Sequence, residues 1–263
     1  MTTAPLYISD VTLRDGLQDE VPPVAFADIR RQAEAEFGCT LSEKFIFFDR
    51  QPLAAASLGQ VHRARIEVPT LTVLPALEAA AAPPPPSIRE VVVKIQRPNI
   101  EQIINTDLAA LETVSRWINR YKPIRRRANI PALLQEFSRT LYEEIDYLAE
   151  GRNAETFAVN FADQPGIRVP SVVWTHTTRR ALTLENVWGI KISDYEGISA
   201  AGIDRTAVAS RLIDTYLQQI FEDGFFHADP HPGNLFVNPD PVYTQDQMLA
   251  FASGTLKRPG GLT

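Results

Sequence analysis

The chain has 263 residues, of which 44% are hydrophobic and 22% charged, and its formal net charge is −6. This length is enough for one large domain or two small lobes with a sizeable core. The acidic balance argues against a general nucleic-acid-binding protein, which needs a basic surface. The single cysteine, Cys39, excludes an internal disulfide.

The sequence shows no secretory signal and no apolar run long enough to cross a bilayer. The N-terminus lacks a basic segment followed by an apolar core. A spanning helix needs roughly 18–20 apolar residues, and the longest run, from Thr70 to Ala82, contains Pro75 and Glu78. We therefore expect a cytoplasmic protein or one that contacts a membrane peripherally.

The first third of the chain predicts one helix followed by strands. Residues 24–37 have the spacing of an amphipathic helix. Residues 44–50 and 53–66 predict two short strands joined by a turn of small residues, and 89–96 (REVVVKIQ) is typical of a buried strand. Between them, residues 67–88 contain four consecutive prolines and predict a loop or linker inside a domain.

The rest of the chain is predicted to be mainly helical. Residues 100–121 and 131–160 carry apolar residues at helical spacing. Residues 169–187 predict two strands around a polar turn, and Asp204 can cap a helix over 205–222. Residues 234–237 (NLFV) and 248–251 (MLAF) predict two further short strands. This order of elements favours a two-lobed α+β fold over alternating βαβ units.

A polar loop between a helix and a strand is the most informative stretch. Residues 225–239 read FFHADPHPGNLFVNP, and within them Asp229 and Asn234 are five residues apart. The carboxylate can orient or deprotonate an attacking hydroxyl, and the amide can bind a magnesium ion that bridges phosphates. His227 can brace the loop through a backbone hydrogen bond. The alternative is a stiff proline-rich turn in which Asp229 is an Asx cap.

Two further motifs are consistent with a nucleotide site. Lys94 lies near the end of the predicted buried strand, where its charge is costly without phosphates or a carboxylate beside it. Alternatively, its ammonium group reaches solvent. Residues 52–66 contain small residues that let a backbone turn approach a ligand closely or simply form a tight turn, and these are Ala54, Ala55, Ala56, Ser57 and Gly59.

Acidic residues follow on the second predicted helix. Glu143, Asp146 and Glu150 have the spacing i, i+3 and i+7, which places them on one helical face. Such a face is usually solvated, but an acid that faces a buried Lys94 would have a purpose. The order of small-residue loop, strand lysine, helix acids and Asp–Asn loop is that of a single architecture.

These motifs together resemble the UbiB/AarF family of atypical kinases. The resemblance covers about residues 17–251 and lies in LQDEVPPV, PLAAASLGQVHRARI, VVVKIQRPNI, EEIDYLAEGRNAETF, LTLENVWGIKISD and GFFHADPHPGNLFV. It implies an α+β, bilobal protein-kinase-like fold with an incomplete C-terminal lobe. Residues 1–16 would be a non-matching segment, 17–187 an N-lobe-like region with the Pro-rich insertion 67–88 and inserted helices, and 188–263 a partial C-lobe.

The resemblance also implies the residues of an ATP and Mg²⁺ site. Lys94 would contact the phosphates and match the family's lysine, and Glu150 would match its helix glutamate. Asp229 would match the catalytic-loop aspartate and Asn234 the metal-binding asparagine. An alanine-rich loop would cover the phosphates and comprise Ala54, Ala55, Ala56 and Ser57.

Other positions would match further family motifs. Glu144 and Asp146 would match the family's ExD acids, and Leu184 to Val187, including Glu185, would match the hinge near adenine. The family is associated with ATPase activity and with membrane-associated lipid metabolism, including ubiquinone biosynthesis. The resemblance therefore implies a nucleotide as ligand, lipid- or quinone-pathway proteins as partners, peripheral membrane contact, and no nucleic acid.

Two departures from the family pattern predict impaired chemistry. The family's KxGQ motif does not occur, and Ala252 and Ser253 stand where the aspartate and phenylalanine of a DFG triplet are expected, with only Gly254 matching. The main magnesium-binding carboxylate would then be missing. Without the later helices of the large lobe, apolar faces of residues 205–226 would be uncovered. The alternative function is an inactive pseudokinase fragment that acts as a binding module.

A second resemblance concerns the N-terminal stretch alone. Residues 7–20 (YISDVTLRDGLQDE) resemble the first barrel strand of the lyase and aldolase family that includes hydroxymethylglutaryl-CoA lyase. There Arg14 and Asp15 would serve catalysis and metal binding. Nothing downstream supplies the other ligands or the βα alternation of a barrel. We interpret the stretch as chance or a fusion junction, and keep a metal-dependent lyase as a further alternative.

Overall fold

The computed structural model describes residues 7–10, 22–55, 58–68, 87–125, 129–164, 166–187, 189–227, 232 and 235–238. The chain divides into two compact units. The first unit comprises Asp19–Gly151 and Val173–Thr183. The second unit comprises Met1–Gln18, Arg152–Val172 and Leu184–Thr263. The domain boundaries expected from the sequence, after residues 16 and 187, stay predictions.

The described strands are, in chain order, β1 Tyr7–Asp10, β2 Phe47–Ala55, β3 Gly59–Val68, β4 Ser87–Gln96, β5 Ile167–Arg168, β6 Ala181–Glu185, β7 Ile190–Lys191 and β8 Leu235–Asn238. The described α-helices are α1 Phe26–Phe37, α2 Leu41–Lys44, α3 Ile100–Ile118, α4 Lys122–Arg125, α5 Ile130–Glu144, α6 Tyr147–Asn160, α7 Tyr195–Ala200 and α8 Arg205–Gln218. This mixture confirms the predicted α+β class. No helix among the described residues is long and apolar enough to cross a bilayer.

The first unit is built on a sheet with the strand order β2-β3-β4-β6. Strand β3 pairs antiparallel with β2 and with β4. Both faces of β4 are covered, and Val91, Val92, Val93 and Ile95 are all buried. A strand covered on both faces needs a continuous apolar run, which explains the valines of REVVVKIQ. Helix α1 packs against this sheet with Ile29 buried, and the helix predicted over 24–37 is confirmed.

Three sequence-based boundaries in the first unit are wrong. Leu53–Ala55, predicted to begin the second strand, extend the first, and β3 begins at Gly59. The helix predicted over 100–121 ends at Ile118. The helix predicted over 131–160 is two helices, since α5 ends at Glu144 and α6 begins at Tyr147.

The break between α5 and α6 is stabilised by partners from other elements. The side-chain amide of Gln96 donates to the carbonyl of Ile145, and the backbone N–H of Tyr147 donates to the carbonyl of Arg179 at 3.1 Å. Asp146 Oδ1 accepts from the N–H of Leu148 at 3.0 Å. Backbone groups that a continuous helix would pair are thus satisfied elsewhere, and Asp146 caps α6.

The first of the two strands predicted within 169–187 is also wrong. Only an isolated bridge joins Val172 to Leu184, and a 3₁₀ turn follows at Trp174–His176. The hydroxyl oxygen of Thr177 accepts from the N–H of Thr183, and that of Thr178 accepts from the N–H of Ala181, both at 3.1 Å. These side chains take backbone donors that a continuous ladder would use.

The second unit contains a mixed sheet with the order β5-β1-β8-β7. β8 pairs antiparallel with β1 and with β7, and β1 pairs parallel with β5. The segment 7–10 that lies outside the family resemblance is therefore an internal strand of this sheet. β8 confirms the strand predicted from NLFV, whereas the strand predicted from MLAF lies outside the described residues.

Helices α7 and α8 cover one core of the second unit. Asp204 Oδ1 accepts from the N–H of Thr206 at 2.9 Å, which confirms its predicted role as the cap of α8. Ile198 and Val208 are buried together with Val237 of β8. The predicted uncovered apolar face of residues 205–226 is confirmed, because several large side chains are exposed, namely Ile213, Leu217, Ile220, Phe221 and Phe226.

The Asp146 cap predicts a measurable loss of stability. Asp146→Ala leaves the first N–H groups of α6 without their side-chain acceptor and should lower the free energy of unfolding by about 1 kcal/mol. Asp146→Asn keeps an oxygen at the same position and should be nearly neutral. Urea denaturation of the two variants is the measurement, with Asp107→Ala on the exposed face of α3 as control. Equal stability of Asp146→Ala and the control would contradict the cap.

A buried histidine predicts a pH dependence of stability. His62 is fully buried, and its Nδ1 lies 2.9 Å from the carbonyl oxygen of Asp49. Burial lowers the pKa of His62 below its ordinary value, against an opposing effect of that hydrogen bond. The unfolded imidazole therefore binds a proton at a higher pH than the folded one. Stability should be complete above about pH 6.5 and fall as the pH drops from there towards the folded pKa.

The test compares thermal melts between pH 8 and pH 5, a range that brackets the ordinary histidine pKa of about 6.5. His62→Asn can still donate to Asp49 and should flatten the pH dependence. The control is Phe48→Leu, which weakens packing against the His62 ring, 5.2 Å away, but keeps the imidazole. If His62→Asn retains the full slope, the pH dependence comes from other groups.

Candidate functional site

An ion pair between β4 and α6 forms the centre of the candidate site. Lys94 Nζ lies 2.9 Å from both carboxylate oxygens of Glu150. The two side chains are only 12% and 14% exposed. A charge this far from solvent is costly alone, and the opposite charge of its partner offsets that cost. The expectation that one helix acid faces Lys94 is met by Glu150.

The sheet register and the cap of α6 together place these two groups. Lys94 is opposite Val61 of β3 and follows Val93 in the buried part of β4. Glu150 lies in the first turn of α6, directly after the Asp146 cap. The position of its carboxylate is therefore set by where the helix begins.

Tyr147 is a site residue that the sequence analysis missed. It is 1% exposed, and its ring centroid lies 4.7 Å from Lys94 Nζ, within the range of a cation–π interaction. A Cβ added at Gly59 would lie 2.7 Å from the Tyr147 hydroxyl and 2.7 Å from the carbonyl oxygen of Ile95. Glycine at 59 thus lets β3 begin close against both groups. Its position next to the helix-capping Asp146 does not by itself distinguish it from an ordinary core aromatic residue.

The small-residue loop is described in part. Ala54 and Ala55 end β2 and are paired with Val61 and Gln60 of β3. They therefore lie on the pair of strands β2 and β3, in which Val61 is the residue opposite Lys94. Ala56 and Ser57 lie outside the described residues, as do their predicted contacts with phosphates.

The acids before Glu150 do not share its helix. Glu143 and half-buried Glu144 end α5, while Asp146 lies at the break and caps α6. The expectation that Glu143, Asp146 and Glu150 occupy one continuous helical face is wrong, because the helix is interrupted between them. Asp146 acts here on the backbone of α6 and so positions Glu150.

A second ion-pair network supports the first unit without forming part of the site. The guanidinium of Arg180 lies 3.2 Å from a carboxylate oxygen of Glu36 and 3.1 Å from one of Glu101. These contacts raise the pKa of Arg180, with the hydrogen bond to Glu101 as the largest cause. The network ties α1 and α3 to the strand edge at β6.

The remaining predicted residues belong to the second unit. The carboxylate of Glu185 pairs with Arg168 and accepts a hydrogen bond from the Ser171 hydroxyl at 3.0 Å. The carboxylate of Glu185 is therefore bound by residues of its own unit, and a contact with adenine stays a prediction. Val187 is buried.

His227 is buried at the start of the Asp–Asn loop. Its backbone N–H donates to Gln219 Oε1 at 2.9 Å, and its ring centroid is 6.4 Å from that of Phe157. The side chain of Gln219 is itself buried. The hydrogen bond thus joins His227 to the π-helical turn Gln219–Asp223. The expectation that His227 braces the polar loop stays a prediction, because most of that loop lies outside the described residues.

Several predicted residues lie outside the part of the chain that the structure describes. They are Arg14, Asp15, Ala56, Ser57, Asp229, Asn234, Ala252, Ser253 and Gly254. Within the described residues, no group of three or more His, Cys, Asp or Glu side chains is placed to hold a metal ion. A magnesium site at Asn234 stays a prediction.

Comparison with known proteins relates this geometry to a family. The model of the ABC1 atypical kinase-like domain matches residues 16–73 and 84–259. A chloroplastic protein of Arabidopsis thaliana, ACTIVITY OF BC1 COMPLEX KINASE 8, is 39% identical over 224 residues, which are 84% of this chain and 27% of that protein. The probable protein kinase UbiB of Aeromonas hydrophila is 35% identical over 222 residues, 84% of this chain and 37% of that protein.

A solved structure shows the same relationship. The Mycobacterium tuberculosis protein Rv3197, solved as a complex with erythromycin, has a TM-score of 0.56 and 27% identity over 87% of this chain and 56% of that one. The chain thus spans 27% and 37% of the length of the two curated relatives named above. The match to the domain model covers most of the sequence and includes both Lys94 and Glu150. The chain belongs to the ABC1 atypical kinase-like family, as the sequence resemblance predicted.

Proposed function

We propose that this chain binds ATP with Mg²⁺ as an atypical kinase or ATPase of the UbiB type. The observation that carries the proposal is the ion pair between Lys94 and Glu150. Protein kinases use a strand lysine to contact the nucleotide phosphates and hold that lysine with a helix glutamate. Here the two groups meet at 2.9 Å and remain partly open to solvent.

The burial of this ion pair favours a role in nucleotide binding over a purely structural role. A buried ion pair is rarely a net source of stability, because desolvation offsets most of the attraction. Apolar residues would fill the same place on β4, which is otherwise apolar around Lys94. An ammonium group held by two carboxylate oxygens keeps a fixed position on the strand, as a phosphate-contacting lysine requires.

The other parts of the site are proposed from the family pattern. Asp229 would orient the attacking hydroxyl or water, and Asn234 would bind Mg²⁺. Ala54 to Ser57 would cover the phosphates, and the backbone from Leu184 to Val187 would lie near adenine. His227, held through Gln219, would fix the start of the loop that carries Asp229.

The pathway is proposed from the names of the relatives. One matching relative is named a probable protein kinase UbiB, and another is named for activity of the BC1 complex. We infer a role in ubiquinone or related lipid metabolism, with lipid- or quinone-pathway proteins as partners and peripheral contact with a membrane. The phosphoryl acceptor would be a protein, a lipid or water.

A second candidate, nucleotide binding without efficient turnover, is favoured by residues 252–254. These read Ala-Ser-Gly where Asp-Phe-Gly is expected. The missing aspartate would bind the magnesium ion that neutralises the transferred phosphoryl group. Loss of one such electrostatic group typically costs about 10²–10³ in rate. The chain would then act as a pseudokinase that holds a nucleotide or a partner.

Nucleotide binding can be tested by thermal shift with ATP and MgCl₂. Unmodified protein should be stabilised by several degrees once ATP is well above its dissociation constant. Lys94→Ala and Glu150→Gln should weaken apparent ATP affinity by about tenfold to 100-fold, since hydrogen bonds to charged groups contribute roughly 1.5–3 kcal/mol. Each variant is compared with itself in the absence of nucleotide. This is needed because both substitutions remove one half of the Lys94–Glu150 ion pair and so change stability on their own.

The matched control is Lys191→Ala, which removes an exposed lysine from β7. This variant should bind ATP like the unmodified protein. No shift with ATP in the unmodified protein, or an equal shift in Lys94→Ala, would overturn the proposal.

Turnover can be tested by restoring the expected triplet. The double change Ala252→Asp and Ser253→Phe should raise ATP hydrolysis about 100-fold or more if the missing carboxylate is what limits the rate. The measurement is phosphate release at saturating ATP, with Asp229→Ala added to the restored protein as control. The pseudokinase candidate would be contradicted if the unmodified chain hydrolyses ATP measurably and the change of Ala252 and Ser253 does not raise that rate.

A further inference from the structure

A buried chain of hydrogen bonds ties the segment 22–24 to the first sheet. Residues 22 and 23 are prolines, so Val24 carries the only backbone N–H group of the segment. That N–H donates to the side-chain oxygen Oε1 of Gln60, near the start of β3. Gln60 Nε2 lies 3.4 Å from His62 Nε2, and His62 Nδ1 lies 2.9 Å from the carbonyl oxygen of Asp49. Gln60 and His62 are fully buried, so each of these groups depends on its protein partner.

The hydrogen-bond partners determine which nitrogen of His62 carries the proton. A carbonyl oxygen only accepts, so the carbonyl of Asp49 requires a proton on Nδ1 of the imidazole. In the neutral ring Nε2 is then an acceptor, and it faces the amide nitrogen of Gln60, which is a donor. This orientation of the amide leaves its oxygen for the N–H of Val24. Every donor of the chain therefore meets an acceptor while His62 is neutral.

A second proton on His62 disrupts this order of donors and acceptors. Nε2 then also carries a hydrogen and faces the amide nitrogen of Gln60, which is another donor. Turning the amide over would offer its oxygen to His62, but would direct its nitrogen at the N–H of Val24. Neither orientation of Gln60 satisfies both neighbours, and an unsatisfied buried donor is costly. The segment 22–24 is the part that can move away, because its two prolines are exposed whereas Gln60 and His62 lie within β3.

The surroundings of His62 contain one charged group that acts on it. Burial lowers the pKa of His62, and it outweighs the hydrogen bond and the carboxylate of Asp49 on β2, which both raise it. Helix α1 and strand β4 present Phe26 and Val93 to the ring. The charged side chains of these two elements are directed elsewhere: Glu90 and Lys94 alternate onto the other face of β4, and in α1 Asp28 pairs with Arg31 and Arg30 with Glu34.

The same segment is bound where β2 ends and β3 begins. The guanidinium of Arg97 donates to the carbonyl of Pro22 at 3.1 Å, and the backbone N–H of Arg97 donates to the carbonyl of Leu58 at 2.9 Å. Gln60 is opposite Ala55, the last residue of β2. The hydrogen bonds of the segment therefore reach the strand ends on either side of the small-residue loop.

We propose that the segment 22–24 is a proton-sensitive latch on the first sheet, closed while His62 is neutral and released when His62 becomes a cation. The latch belongs to the first unit, and its chemistry does not rest on the nucleotide site. Its release would free the strand ends beside residues 56 and 57, so that acid would loosen the loop proposed to cover the phosphates. Only this consequence rests on the proposed function.

The test is hydrogen exchange of the Val24 amide, measured by NMR at pH 7.5 and pH 5.5, which bracket the ordinary histidine pKa. Rates are corrected for the intrinsic pH dependence of exchange. If release returns His62 to a pKa of about 6.5, the corrected rate should rise about tenfold between these two pH values. Local release exposes little surface, so this rate should not respond to low urea concentrations. The amide of Val93, within buried β4, reports global unfolding and should respond.

Two variants should remove the response to pH. Gln60→Glu offers an acceptor oxygen to Val24 and another to a protonated His62, so lowering the pH should no longer accelerate exchange. His62→Asn stays neutral at both pH values and should also give no response. The matched control is His176→Asn, because His176 lies in the same unit and burial lowers its pKa as well. This control should keep the tenfold response.

The proposal is overturned if the corrected exchange of Val24 does not change with pH in the unmodified chain. It is equally overturned if Gln60→Glu or His62→Asn responds like the unmodified chain. Exchange of Val24 that follows Val93 at every urea concentration would show global unfolding instead of a latch. Thermal melts identify a variant that does not fold, and the remaining variant then decides the test together with His176→Asn. These measurements contain no nucleotide, so their outcome is separate from that of the ATP experiments.

Discussion

An ammonium group on a strand that is covered on both faces needs a fixed negative partner. In the first unit, strand β4, helix α6 and the break before α6 together provide one. Lys94 lies among the buried valines of β4, and Glu150 reaches it from the first turn of α6. Because Glu150 follows so closely on the start of α6, the interruption between α5 and α6 decides where the carboxylate lies. Gln96, on the same strand as Lys94, stabilises that interruption by binding the carbonyl of Ile145. The strand thus carries both the cation and a group that helps to position its partner.

Elements with local signals could be predicted from the sequence. The periodicity of α1, the valine run of β4 and the capping aspartate of α8 each lie within a few residues, and each is confirmed. The approach of Lys94 to Glu150 spans 56 residues of sequence, so that spacing alone offered several acids as partners. The family resemblance selected Glu150 because it compares whole motifs in order. Tyr147 was missed since nothing in its spacing distinguishes a residue that packs on an ammonium group from an ordinary core aromatic.

The remaining differences arise where tertiary partners override local patterns. Apolar spacing continues from 131 to 160 without a break, yet the helix stops because Gln96 and Arg179 offer hydrogen bonds to backbone groups at Ile145 and Tyr147. The sequence of residues 131–160 alone does not reveal these hydrogen-bond partners. β1 illustrates the same limit, since its pairing with β8 joins segments more than two hundred residues apart, as in Ile8 with Val237. Propensity describes what a segment can form, and distant hydrogen-bond partners decide what it does form.

Net charge and local charge answer different questions about this chain. The net charge of −6 disfavours long-range attraction to polyanions, because that attraction depends on the charge of the whole surface. Docking on a surface depends on groups within about one screening length, roughly 8–10 Å at moderate salt. The stretch from Arg116 to Arg127 contains six cations and no acid. A chain that is acidic overall can therefore contain a strongly basic stretch. The hairpin of α3 and α5 that contains this stretch is anchored at Ile145, beside the break that positions Glu150. Substitutions at its packed base, at Ile100 or Ile104, would therefore disturb the position of Glu150 as well.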